Sequence, residues 1–337
     1  MEWTLYPIKD FPQFHETWDD LNQTLSNSPL LDTAFVAPLL DYFTDGTELI
    51  AVYGAKEQPE TIAIIHSRKN NIWETLQPSN APLGMWLSRD KTLPANQLRS
   101  LIKKLPGKAL SFSITQQDPL FITRPENTSC IESLDYIETA HIDFPDSFQE
   151  YWTSRSKNLR HNMKRQKNYL RKNDITPRLE TWNTSNNMHQ GVLDYAKIES
   201  SGWKGDIDSA VAEGDAQSEF YNAMLCNFCR TNEALILRYY YNEDLVASDL
   251  CLLRNKVLYI LKTTYVETVK STSPAHIMRF DYYQDTVDRG ALNRVEFYGP
   301  LKEWHKKWTN DIRTMFHANI YRNQFINWAR KISKLMR

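Results

Sequence analysis

Hydrophobic and polar positions change rhythm along the chain at regular intervals. "FPQFHETWDDLNQTL" and "LDTAFVAPLLDYF", within residues 11–44, space their apolar residues as helices do. Three short strand-like runs follow, at 48–55, 60–68 and 71–78, separated by the polar turns "KEQP" and "KNN". That arrangement predicts an antiparallel meander. A loop around "SNAPLGMW" leads to an amphipathic helix, "ANQLRSLIKKL", then to a strand, "KALSFSIT", and a shorter strand is expected at "HIDF", 141–144.

The second half repeats this grammar. A helix, "SEFYNAMLCNFCRTN", precedes strands at 234–242, 245–253 and 256–264, joined by "NED" and "RNK". A helix, "SPAHIMRFDYYQDTVDRG", and a strand, "NRVEFYG", come next. Both halves thus read strand, acidic turn, strand, basic turn with Asn, strand, loop, helix, strand. We expect an α+β fold made of a duplicated unit, with lobes at 1–144 and 145–337.

Between the meanders lies "SRSKNLRHNMKRQKNYLRKN", Ser154–Asn173, with eight Lys/Arg, one His and no acid. Apolar Phe148, Trp152, Leu159, Met163 and Leu170 step by 4, 7, 4 and 7 along one face of a predicted helix, with Asp146 or Ser147 as its N-cap. Lys157, Arg160, Lys164, Lys167 and Arg171 form a basic stripe beside it. A solvated face, phosphate contact with RNA, and attraction of a phosphorylated cofactor or acidic carrier protein all fit this charge.

Composition narrows the class. With 337 residues, 41% of them hydrophobic, and a formal net charge of −1, the chain is globular and lacks bulk attraction for nucleic acid. Four cysteines suggest a reduced compartment, and the lone "CNFC" of Cys226 and Cys229 reads as helix packing. The start has no secretory pattern, and no window reaches the ~18 apolar residues of a membrane span, so a cytoplasmic protein without a transmembrane segment is expected. The basic end, "NWARKISKLMR", reads as a solvated helix end that would also suit an anionic surface. No metal cluster, glycine-rich nucleotide fingerprint or Ser-His-Asp order is present in the sequence.

Five segments in order, "SRSKNLRHNMKRQKNYL", "KIESSGWKG", "FYNAML", "STSPAHIM" and "VEFYGPLKEWHKKW", resemble the CelD/BcsL-type branch of the GNAT acetyltransferases. That branch is related to the FemAB peptidyltransferases, which carry two GNAT-like lobes in tandem. The resemblance covers about residues 145–310. It implies two GNAT-like lobes, each a mostly antiparallel sheet flanked by helices. It implies acyl transfer from a thioester, acyl-CoA or acyl carrier protein, to an amine or hydroxyl of a small molecule, lipid or saccharide. The donor would be a substrate, with no tightly bound cofactor. FemAB-like transfer from aminoacyl-tRNA and a degenerate scaffold that binds a partner are the alternatives; the absence of a heptad run weakens the first.

The resemblance also assigns residues. It puts the donor pyrophosphate at "KSTSPAHIM", with Ser273 as N-cap, Pro274 at N1, Lys270 nearby, and backbone N–H groups of Ala275, His276 and Ile277 facing the anion. Ala275 stands where the family has glycine. Trp203 would wall the acceptor pocket, Lys204 would hold an anionic substrate group, and Glu199 is a candidate general base. Glu296 takes the place of the family's acid, Trp304 of its tyrosine and His305 of its lysine; an imidazole there is a candidate base. Tyr265 is a candidate proton donor to the departing thiolate. Arg160 and Lys164 are expected to meet phosphates of CoA or a carrier protein.

Overall fold

The structure, a computed structural model, describes residues 1–69, 71–201 and 211–335. In chain order it contains β1 (Trp3–Pro7), α1 (His15–Leu25), α2 (Thr33–Phe43), β2 (Leu49–Gly54), β3 (Pro59–Lys69), β4 (Ile72–Thr75), β5 (Trp86–Ser88), α3 (Ala95–Lys104), β6 (Ser111–Gln117) and β7 (Ile131–Asp143). There follow α4 (Phe148–Ser154), α5 (Lys157–Lys172), β8 (Pro177–Trp182), α6 (Ser185–Ser200), α7 (Ala216–Cys229), β9 (Ala234–Tyr241), β10 (Asp244–Arg254) and β11 (Val257–Tyr265). The chain ends with α8 (Pro274–Asp288), β12 (Arg294–Glu296), α9 (Glu303–Trp308), β13 (Ile312–Tyr321) and α10 (Gln324–Leu335). The fold is α+β, as expected.

Two compact units form: Met1–Glu138 with Arg313–Arg337, and Thr139–Ile312. Their strands pair by one rule. In the first, β2–β3 and β3–β4 are antiparallel and β4–β6 parallel. In the second, β9–β10 and β10–β11 are antiparallel and β11–β12 parallel. The parallel step follows from the intervening helix, α3 in one unit and α8 in the other, which carries the chain back to the starting end of the sheet. Turn chemistry sets the register of the second meander: Asn255 and Lys256, with φ of 51° and 63°, make a two-residue loop between the paired Arg254 and Val257. Positive φ at both loop residues suits the right-handed twist of the flanking strands.

The unit boundary corrects the expected one at 144/145. Strand β7 spans Glu138/Thr139, and its end pairs antiparallel with β12. Strand β13 pairs antiparallel with β6, so the last 25 residues belong with the first unit and not with a C-terminal lobe. The cores divide accordingly. One cluster packs Trp3, Ile65, Trp86, Phe112 and Ile114 with Phe316 and Ile320; the other draws all its members from Ala140 to Trp308.

The long basic helix is also corrected: it is two helices, α4 and α5. Ser147 Oγ accepts from the Gln149 N–H, and Ser156 Oγ accepts from the Leu159 N–H, so each begins on its own serine cap. Phe148, Leu159, Met163 and Leu170 are buried as the apolar stripe requires. The four cysteines are free, and burial pushes the Cys226 and Cys229 thiols up, which leaves little thiolate and agrees with packing. No described helix is long and apolar enough to cross a membrane.

Candidate functional site

A cavity of about 680 Å³ opens in the second unit, bounded by β11, the start of α8 and the segment from Phe297 to Lys307. Its position follows from the meander. The end of β11 and the first turn of α8 form one side, and α9 with the loop before it forms the other. Five cationic side chains line it: Lys262, Lys270, Arg279, Lys302 and Lys307. Among the described lining residues there is no carboxylate.

Arg279 anchors this wall. It is buried with Asp249, to which Nε and Nη2 donate at 3.0 and 3.1 Å, and Nη2 also donates to Thr263 Oγ1 at 2.6 Å. Its guanidinium lies 4.6 Å from the centre of the Trp304 ring. A buried charge needs such partners to offset its desolvation. The Asp249 carboxylate and the Thr263 hydroxyl therefore hold α8 against β10 and β11, and Arg279 in turn supports Trp304.

Two histidines meet the cavity, both held neutral. His305 Nδ1 accepts the Lys302 backbone N–H at 2.8 Å, reaching back over the start of α9 as a capping-box residue does. Burial, followed by the nearby charges of Arg279 and Lys302, brings its pKa from 6.5 to about 4. His276 Nδ1 accepts the Trp308 indole N–H at 2.7 Å, the two rings stacked at 10°. Burial, then Arg279, Lys307 and His305, brings its pKa to about 3. A neutral imidazole whose Nδ1 accepts carries its proton on Nε2. Both rings are thus fixed as Nε2–H donors, and the geometry of His305 disfavours the base role expected for it.

The other expected residues are distributed as follows. Tyr265, Lys270, Ser273, Ala275, His276, Trp304 and His305 all line the cavity. Ser273 precedes Pro274 at the N-cap position, but with φ of 51° its side chain does not cap α8; its Oγ accepts from Gln166 Nε2 at 2.8 Å. The expected row of free N–H groups is corrected as well. His276 and Ile277 donate to the Ser273 carbonyl at 2.9 and 3.2 Å, leaving Ala275 as the one of the three without such a bond.

Glu199 is buried on α6 and accepts from the Tyr195 hydroxyl at 2.9 Å and the Val211 N–H at 2.8 Å. Glu296 is buried and accepts from Arg294 Nε at 2.7 Å. Neither lines the cavity. Trp203 and Lys204 lie outside the described residues. A smaller cleft of about 250 Å³ shares Ser273, His276 and Lys307 with the cavity and is lined on α5 by Asn162, Arg165 and Gln166. Arg160 and Lys164 face elsewhere: Arg160 Nε donates to the Arg155 carbonyl, and Lys164 is exposed. Lys167, in the same stripe, is paired with Asp281 at 2.6 Å.

Asp249, Lys262, Arg279, Lys302 and Lys307 were not among the expected site residues. Arg279 carried a usable signal, since it follows His276 by three positions on one helix and must share its face. Asp249 sits in an apolar strand of the meander, where a buried carboxylate implies a buried cation.

Residues 157–306 match the family model described as an acetyltransferase (GNAT) domain. No curated protein matches the sequence. Among solved structures, FemX aligns with a TM-score of 0.55 at 10% identity, covering 98% of this chain and 99% of that one. A C-terminal domain assigned to a lysylphosphatidylglycerol synthetase from Agrobacterium fabrum aligns at 0.55 and 9%, covering 96% of each. L-PGS from Bacillus licheniformis aligns at 0.51 and 13%, covering 93% and 95%. Residues 157–306 therefore carry a GNAT-like domain, and the chain as a whole shares its fold with these structures.

Proposed function

We propose that a chain of GNAT-like fold with this cavity is an acyltransferase. It would move an acyl group from a thioester donor, acyl-CoA or an acyl carrier protein, to an amine or hydroxyl of a small molecule, lipid or saccharide. The observation that carries the reading is the cavity at the start of α8, with four lysines beside the Asp249-paired Arg279, two neutral histidine donors and no carboxylate among its described lining residues. An anionic donor would find complementary charge there, and a reacting carbonyl would meet fixed dipoles.

Direct attack of the acceptor on the thioester carbonyl forms the new C–N or C–O bond and breaks the C–S bond. The Nε2–H groups of His276 and His305 are suited to the carbonyl oxygen as negative charge develops on it. Tyr265 would protonate the departing sulfur, and the proton released by the acceptor nitrogen or oxygen would restore its hydroxyl. Lys270, Lys302 and Lys307 would hold the donor's phosphates, and Trp304 would wall the acceptor side. Glu199 and Glu296, buried away from the lining, have no part in the chemical step on this reading.

Thermal denaturation with acetyl-CoA, a long-chain acyl-CoA or free CoA tests it. A donor at 100 times its Kd stabilises the fold by about 2.7 kcal/mol and raises the midpoint. Lys302→Gln with Lys307→Gln should reduce that shift. No shift with any of the three compounds would overturn CoA as the donor. A second reading, an aminoacyl-tRNA donor, is favoured by the exposed Lys157, Lys164, Arg165, Arg171 and Lys172 of α5. It predicts co-purifying nucleic acid and a steep loss of binding with salt.

A further inference from the structure

Helix α10 turns an apolar side away from the unit that carries it. Asn327 is buried, and its Nδ2 donates to the Ser129 carbonyl at 3.0 Å. Arg330, one turn on, donates to the Tyr321 hydroxyl and lies 3.6 Å from Glu132. These residues fix which side of the helix meets the protein. Phe325 and Trp328 each precede one of them by two positions, roughly 160° around the axis at 3.6 residues per turn. They are 70% and 64% exposed, among the most exposed large apolar side chains described. An ordinary surface helix does the opposite and buries its apolar side.

The surrounding sequence says what would cover such a side. Residues 322–337 hold Arg322, Arg330, Lys331, Lys334 and Arg337 and no acid. A symmetric partner, a second copy meeting the first through α10, would set two such groups of cations against each other. A bilayer with acidic headgroups offers apolar depth for the aromatic rings and negative charge beside it.

We propose that α10 lies in the surface of an anionic membrane, with Phe325 and Trp328 at the boundary of headgroup and acyl chains and lipid phosphates drawn to the basic sequence around Lys331 and Lys334, while Arg322 and Arg330 stay bonded to the protein. The helix does not span the bilayer. The proposal is independent of the acyltransferase reading, because it uses no residue of the cavity.

Flotation of the full chain with vesicles tests it, using phosphatidylcholine alone or mixed with roughly one-third phosphatidylglycerol. The chain should float with the anionic vesicles, less so at high salt and little with the neutral ones. Phe325→Ser with Trp328→Ser should lower the bound fraction about tenfold or more, with the melting midpoint unchanged because both positions are exposed. Lys331→Gln with Lys334→Gln should weaken binding to the anionic vesicles while retaining the fold. A full chain that stays at the bottom with both vesicle types overturns the proposal, as does a Ser variant that floats as well as its parent. A dimer in sedimentation equilibrium that the Ser variant dissolves, without flotation of the parent, would place a second copy on this surface instead.

Discussion

His305 stands where the resemblance puts a lysine, and the exchange changes more than charge. A lysine there would be a fixed cation, whereas His305 is neutral, with Nδ1 occupied by the Lys302 N–H. His276 is held the same way by Trp308. We expect nitrogen-detected NMR to show both rings as Nε2–H tautomers that stay neutral from pH 8 to 5. A ring protonated by pH 6 would contradict the assignment. Stability should follow. Their pKa values lie near 4 and 3 in the fold against 6.5 for a free imidazole, so the unfolded chain takes up protons first as pH falls. The stabilisation is complete above about pH 6.5 and is lost progressively below it. His305→Gln should therefore show a smaller drop in melting midpoint between pH 7 and 5 than the parent; an equal drop would remove His305 from the account. The cavity positions Ser273, Trp304 and His305 were visible in the sequence because they sit in ordered short segments. The pinning of Nδ1 was not, since it depends on a backbone N–H whose direction only the start of α9 fixes.

Local elements were legible where local chemistry specifies them. The strands expected at 234–242, 245–253 and 256–264 appear as β9, β10 and β11 within two residues at each end, because turn residues tolerant of positive φ separate alternating runs. The break between α4 and α5 was hidden, as the apolar stripe keeps its spacing across Arg155 and Ser156. Ser156 restarts the helix through its bond to the Leu159 N–H. Ser156→Ala should cost about 1 kcal/mol, lowering the melting midpoint by about 2–4 °C. An unchanged midpoint would mean that packing of Leu159 and Met163 sets the start of α5 unaided. Strands β8 and β13 were missed for another reason. Their pairing partners are distant in sequence, so no hairpin turn announces them; β13 pairs with a strand about 200 residues earlier.

At the scale of the whole molecule the duplication was legible and the division of the chain was not. Each unit completes its sheet with a strand that the expected boundary assigns to the other half: β13 beside β6, and the end of β7 beside β12. Repeating grammar reveals that there are two units, but long-range pairing decides where each one ends. The consequence is testable with shortened chains. A chain of residues 145–337 lacks the β7 residues that pair with β12, and it carries β13 without β6. Met315, Phe316, Ala318 and Ile320, all buried in the whole protein, would then lose their partners, and large apolar side chains lose about 1.5–3 kcal/mol each when left exposed. A chain of residues 139–312 keeps every member of the core cluster from Ala140 to Trp308. We expect the shorter chain to be soluble and to melt cooperatively, and the longer one to aggregate or to show no cooperative transition. The reverse result would return the boundary to 144/145 and make β13 an accessory strand, because the unit would then hold together without the end of β7.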